Sequence, residues 1–249
     1  VAEKTPVHNV GGWVNVKYLP LILFSLVIAN QASASPYDPL IDYVATQHGV
    51  DPIVLRTITA QESRKNPWTF NADGEGFQFG DKDTAVRTLW ALTRFPWMVK
   101  FVTNKKVMTR RFFSNQLEAQ SFAETVRRSS ANNGGAFALR TDDSKDVEPG
   151  QIRVRQLRLI NTDIGIAQVN YRWHGQGIAT VQQWFDPRFN LNFAANHLAD
   201  LKKKYGSDLA AVGYYHSSTP AHRKRYLADF MPKYNAEKRN ASVSLAIGH

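Results

Sequence analysis

The sequence predicts a mainly α fold of the α+β kind, with a small β-hairpin set among helices. Three observations carry this. Apolar residues recur at helical spacing over 39–48 and again after Asp51-Pro52. Everything after Phe185 reads as helix. Only residues 137–140 and 151–160 alternate apolar and polar side chains as strands do.

The elements follow in order. Leu40, Ile41, Tyr43, Val44 and Ala45 give the first helix an apolar face, and Gly49 stops it. Asp51 is placed to cap the second helix, with Pro52 at its first position. Ile53, Val54, Leu55, Ile58 and Ala60 make that helix largely buried. Glu62 lies one turn beyond Ile58, beside the buried stripe. Asn66-Pro67 breaks the helix, and residues 71–76 form a turn. Asp83 is expected to cap a helix through Val86, Leu89, Trp90 and Leu92 that ends at Phe95-Pro96.

Residues 95–113 interleave five aromatic with five basic residues and no acids. This suits the apolar side of helices whose Lys and Arg reach water, or a surface that contacts a membrane. Residues 114–129 read as another helix, with Leu117, Phe122 and Val126 inward. The two strand patterns come next, joined by the polar loop 141–150. Their phase breaks at Arg155-Gln156, which reads as a bulge. Helices over 192–205, 208–215 and 220–234 complete the chain.

Composition narrows the function. The 249 residues contain no cysteine, which excludes disulfides and thiol catalysis. The seven histidines show no metal-ligand spacing. The turn 71–76 places oxygen ligands at alternate positions, but Lys82 stands where a calcium loop needs a bidentate Glu. No metal and no cofactor is implied. Lys17, an apolar run from Tyr18 to Ala29, and Ala32-Ser33-Ala34 read as a secretory signal peptide, residues 1–34, cleaved after Ala34. The expected location is therefore the periplasm. Of the formal charge of +10, +9 falls on the exported part, which attracts polyanions. Export argues against nucleic acid as the partner and leaves the cell wall or an anionic membrane.

Glycosidic cleavage needs a proton donor at the leaving oxygen and stabilisation of an oxocarbenium-like centre. Glu62, at the end of an apolar helix, has the hydrophobic setting that keeps a carboxyl protonated. Asp163 is the nearest candidate for a second carboxylate, although Asp before a Gly turn is also an ordinary structural choice.

One order of motifs is more specific. Glu62-Ser63 is followed by Asn66-Pro67, then by Asp163-Ile164-Gly165-Ile166-Ala167-Gln168-Val169-Asn170. Next come Ala211-Val212-Gly213-Tyr214-Tyr215-His216-Ser217 and Arg225-Tyr226. This order resembles the family 1 (SLT-type) lytic transglycosylases, whose catalytic domain is similar to goose-type lysozyme. The small exported members attached to conjugation, type IV or type III secretion and pilus machines look closest. The resemblance covers about residues 37–71 and 161–234. It implies a lysozyme-like helical catalytic domain from residues 35–71 and 161–240, interrupted by a large mixed insertion, 72–160, long enough to hold its own structure.

The resemblance also implies roles. Glu62 is the sole catalytic acid/base, cleaving the bond between N-acetylmuramic acid and N-acetylglucosamine of peptidoglycan and giving a 1,6-anhydro product. Ser63, Gln168, Asn170, Tyr215, His216 and Tyr226 form the substrate-binding set. His216 stands where the family usually has Asn. The implied partners are peptidoglycan strands and an envelope-spanning machine, with membrane contact through residues 95–113. Two other readings stay open: a lysozyme-like hydrolase that uses Glu62 with water, and a catalytically silent wall-binding assembly factor.

Overall fold

The computed structural model describes residues 35–131, 136–141 and 146–247. The expected signal peptide lies outside them. No helix among the described residues is long and apolar enough to cross a membrane. The fold is mixed α+β, and the chain divides into two compact units. Residues 35–94 and 157–247 build the first. The described residues between 95 and 156 build the second, which interrupts the first in sequence.

In chain order, the first unit contributes helices α1 (Asp38–Gln47) and α2 (Pro52–Ser63), strands β1 (Thr69–Ala72) and β2 (Glu75–Gln78), and helix α3 (Lys82–Arg94). The second unit contains β3 (Trp97–Val102), β4 (Met108–Phe113), α4 (Gln116–Ala131), β5 (Ala138–Leu139) and β6 (Gln151–Gln156). The first unit resumes with β7 (Thr162–Ile164), β8 (Val169–Asn170) and a single π-helical turn, Tyr171–Gly175. Helices α5 (Val181–Trp184), α6 (Pro187–Tyr205), α7 (Asp208–His216) and α8 (Pro220–Ile247) follow.

The helical core of the first unit is one continuous cluster. Val54, Leu55 and Ile58 of α2 pack with Ile41 and Val44 of α1, Leu191 and Leu198 of α6, Val212 of α7 and Phe230 of α8. Local chemistry frames these helices. Asp51 Oδ1 accepts from Ile53 N at 2.8 Å to start α2, and Asp186 Oδ1 accepts from Phe189 N at 2.9 Å to start α6. Pro52 and Pro187 occupy first-turn positions, where no N–H is needed. Asp81, not Asp83, opens α3: its Oδ1 accepts from Thr84 N at 2.8 Å. Asp83 lies in the first turn, where its charge favours the helix dipole.

Beside the helices stands a four-stranded sheet, in the order β2-β1-β7-β8. Residues 71–76 do not form an isolated loop. They close a β1–β2 hairpin through Asp73 and Gly74, both with positive φ. The loop oxygens are engaged: Asn71 Oδ1 accepts from Gly74 N, and Asp73 pairs with Arg158. Phe70 stacks on Phe77 at 4.7 Å and meets the edge of Phe185 at 6.1 Å.

The second unit is a sheet ordered β4-β3-β6-β5, with α4 packed on one face. Residues 95–113 are therefore an antiparallel strand pair rather than helices. The pairing runs from Trp97↔Phe113 to Val102↔Met108. Alternation sends Trp97, Val99, Phe101 and Phe113 to the α4 side, where they meet Ala119, Phe122, Ala123 and Val126. Most of the aromatics read as a membrane surface are thus core, and Phe95, Val107 and Met108 remain as the exposed apolar side chains of this stretch. Leu117, expected inward, is 77% exposed, because α4 turns Ala119 and Ala123 toward the sheet instead.

The expected hairpin between 137–140 and 151–160 does not form. β5 runs parallel to β6, and the antiparallel side of β6 is taken by β3. The phase break at Arg155-Gln156 is not a bulge. It is where the chain leaves one sheet; Leu157 already belongs to the other unit. Within the expected insertion 72–160, the second compact unit takes 95–156, and β1, β2 and α3 group with the helices.

Candidate functional site

Glu62 occupies the last turn of α2. The helix ends abruptly because Arg64 and Lys65 both adopt left-handed backbone, with φ of 57° and 59°, letting Lys65 N donate back to Thr59 O at 3.0 Å. The Lys65 ammonium repays that strain by bonding Asp38 at 2.7 Å and Glu237 of α8 at 3.0 Å, both largely buried. The Glu62 backbone is thus anchored from two other helices.

The Glu62 side chain is partly buried beside the core. Burial pushes its pKa up to about 7. Tyr226 opposes this, favouring the carboxylate; Asp163 raises the value further and Lys233 lowers it. The carboxyl also sits at the negative end of the α2 dipole, which favours the protonated form. Tyr226 Oη is buried and meets no partner at strict hydrogen-bond geometry, yet it lies close enough to Glu62 to act on its charge. Burial and that neighbouring charge hold the Tyr226 hydroxyl firmly protonated.

The turn from β7 to β8 forms the floor. Gly165 has φ +83°, and a Cβ there would sit 2.5 Å from Asn190 Nδ2 and 2.6 Å from Trp184 O. Only glycine fits. Asn190, fully buried on α6, secures the turn: Nδ2 donates to Ile164 O at 2.9 Å and Trp184 O at 3.0 Å, while Oδ1 accepts from Ala167 N at 2.9 Å. Gln168 follows with φ 49°, and its Nε2 donates to Gly165 O at 2.8 Å and Thr69 O at 3.1 Å. Ser63 Oγ reaches Ile166 O at 2.7 Å, which ties α2 to the same turn.

The opposite wall comes from α6 and α7. Tyr215 Oη donates to Ala167 O at 2.8 Å; burial, then the charges of Glu62 and Asp163, push its pKa far up and keep it a donor. His216 lies flat on Tyr226, with ring centroids 4.2 Å apart. Beyond Tyr215 the wall continues through His197, with His174 4.8 Å from it and Phe193 behind. Burial lowers the pKa of both histidines, and for His197 the proximity of His174 does so too. Together these residues enclose a cleft of about 310 Å³ into which Glu62 and Asp163 both point.

Of the expected site residues, Glu62, Gln168, Asn170, Tyr215 and His216 line this one cleft. Ser63 and Tyr226 are buried beside it. Ser63 braces the turn instead of facing ligand space. Asn170 is engaged too: Nδ2 donates to Asp163 Oδ1 at 2.7 Å, and Oδ1 accepts from Trp173 N at 3.2 Å. Sequence reading missed Asn190, Trp173, His174, Phe193 and His197. Asn190 had a signal: with Ala194 and Leu198 it forms an i, i+4, i+8 stripe in which it alone is polar. The others sit on a π turn and on the flank of α6, with no pattern to mark them.

The arrangement offers one proton-holding carboxyl near neutrality, a second carboxylate held by an amide, and tyrosyl, amide and imidazole groups around a polar groove. That combination suits acid/base chemistry on a polyhydroxylated ligand. The chain matches no family model, no curated protein and no solved structure at a significant level.

Proposed function

We propose that the protein is a periplasmic lytic transglycosylase of lysozyme-like fold that cleaves the N-acetylmuramic acid–N-acetylglucosamine bond of peptidoglycan, opening the wall locally for a secretion or conjugation machine. The observation that carries this reading is Glu62: a cleft-facing carboxyl on a rigid helix end, with burial holding its pKa at about 7. Protonated Glu62 donates to the glycosidic oxygen as the C1–O bond breaks and an oxocarbenium-like centre forms. The resulting carboxylate takes the proton of the muramoyl 6-hydroxyl while that oxygen bonds to C1. The anhydro ring closes, Glu62 regains its proton, and no water is consumed. Tyr226 favours the carboxylate stage, and Tyr215 and Gln168 fix the groove around it.

A hydrolytic second reading has one observation in its favour: Asp163 lines the same cleft and acts electrostatically on Glu62. Mass spectrometry of products from purified wall separates the two. Anhydromuramoyl ends are expected from the wild type and far fewer from Glu62→Gln; reducing muramoyl ends alone would overturn the transglycosylase reading.

A further inference from the structure

The cleft extends past Glu62. Ring contacts lead away from it, from Tyr215 to His197 at 5.8 Å and from His197 to His174 at 4.8 Å. Next to His174 in the chain stands Trp173, which lines the cleft yet is 71% exposed. An exposed indole lining a cleft offers a ring face on which a ligand can stack.

Its backbone is tied down by hydrogen bonds at both ends of a turn. Trp173 rides on the π turn Tyr171–Gly175, a rare geometry concentrated at functional sites. Asn170 caps that turn by accepting from Trp173 N at 3.2 Å, and Asp163 fixes Asn170 at 2.7 Å. At the far end Trp184 Nε1 donates to Gly175 O at 3.3 Å. The Arg172 guanidinium lies 4.9 Å from the indole centroid, covering one face. At 71% exposure most of the indole remains in water. Burial lowers the pKa of the adjacent His174 and His197, favouring the neutral ring, which offers one donor and one acceptor.

We infer that Trp173 is a stacking platform for a pyranose ring, forming with His174 and His197 a saccharide subsite displaced from Glu62 along the cleft. The apolar C–H face of a sugar packs on the exposed indole, and its hydroxyl or acetamido groups meet the two imidazoles. This subsite rests on the glycan-cleaving reading of the same cleft and adds to it where a longer chain is gripped. It also gives Asp163 a role that needs no second carboxylate in the chemistry: through Asn170 it holds the platform in register with Glu62.

The experiment uses the full exported chain. Binding of chitin oligosaccharides of increasing length is measured calorimetrically on Glu62→Gln, with and without Trp173→Ala. Cleavage of isolated wall glycan is measured with Glu62 intact. Trp173→Ala is expected to weaken the longer oligosaccharides about tenfold while sparing the shortest. It should raise KM by a similar factor with kcat little changed, and Trp173→Phe should restore most of the loss. Unchanged melting temperature excludes a folding effect, as the exposed position predicts. If the wild type cleaves glycan and Trp173→Ala matches it in affinity and KM, the subsite falls alone. If the wild type neither binds nor cleaves, the glycan reading falls and takes the subsite with it.

Discussion

The imidazole of His216 lies on the phenol ring of Tyr226, with 4.2 Å between centroids and 12° between planes. The stack covers one side of a tyrosine whose hydroxyl acts on Glu62. Tyr226 favours the carboxylate, so it lowers a pKa that burial has raised. Tyr226→Phe removes that donor, and the Glu62 pKa rises above about 7. The alkaline limb of the pH–activity profile should move to higher pH. A limb that stays in place, or moves down, would contradict the pairing.

Glu62→Gln should separate activity from stability. As a general acid and then base, the carboxyl contributes roughly 10²–10⁴-fold, and cleavage should fall by that order. Its folded pKa of about 7 stands above the ordinary 4.5. The stability linked to this proton is therefore complete below about pH 4.5 and is lost as pH rises through 7. The glutamine variant escapes that loss. It should be more stable than the wild type at pH 8, by about 2 kcal/mol after discounting partial exposure, and nearly equal to it at pH 4. Thermal melts at the two pH values measure the difference.

Gly165→Ala tests the floor of the cleft. The new methyl must displace Asn190 and the Trp184 carbonyl from 2.5 and 2.6 Å at a backbone φ that disfavours alanine. A loss of about 3 kcal/mol is expected in urea unfolding. Asn190→Ala should cost a similar amount, because it strands Ile164 O, Trp184 O and Ala167 N in a dry interior. The double variant should lose less than the sum, since both changes break one junction.

How far the sequence could be read depends on where each signal resides. The start of α2 was legible because capping is local: Asp51 acts through atoms a few bonds away. The start of α6 was not, since Asp186-Pro187 opens it five residues ahead of the expected 192. The position of Glu62 beside the buried stripe followed from helical periodicity alone. The strands of 95–113 were not legible, because their apolar faces are read only against α4, and register with β6 comes from residues fifty positions on. For the same reason Arg155-Gln156 looked like a bulge when it is an exit from a sheet. Within the site, the motif residues Gln168, Tyr215 and His216 could be named, but Ser63 was assigned to ligand when its hydroxyl is committed to Ile166 O. Motif matching finds positions and does not say which atoms are already bonded.

Lys65→Met probes the anchor behind Glu62. The ammonium sits between Asp38 and Glu237, with all three side chains about a tenth exposed. Removing the cation leaves two buried carboxylates without it, which costs about 3 kcal/mol. Because the contact joins α2 to α8, cleavage should fall with stability. The triple change of Lys65, Asp38 and Glu237 to apolar residues should recover much of the stability, as apolar replacement of a whole buried ion group commonly does.

Asp163→Asn divides the two chemistries most sharply. Asp163 raises the Glu62 pKa by like-charge repulsion, so its neutral replacement lowers that pKa and moves the alkaline limb to lower pH. An asparagine side chain can still present an oxygen to Asn170 Nδ2, preserving the 2.7 Å contact that steadies the π turn. If Glu62 alone carries the proton both ways, kcat at the shifted optimum should stay within about tenfold of wild type. If Asp163 activates water or attacks the sugar, kcat should fall at every pH by the ~10²–10⁴ expected for loss of a catalytic group. Rate profiles of the variant across pH, with products identified at each point, decide between one carboxyl and two.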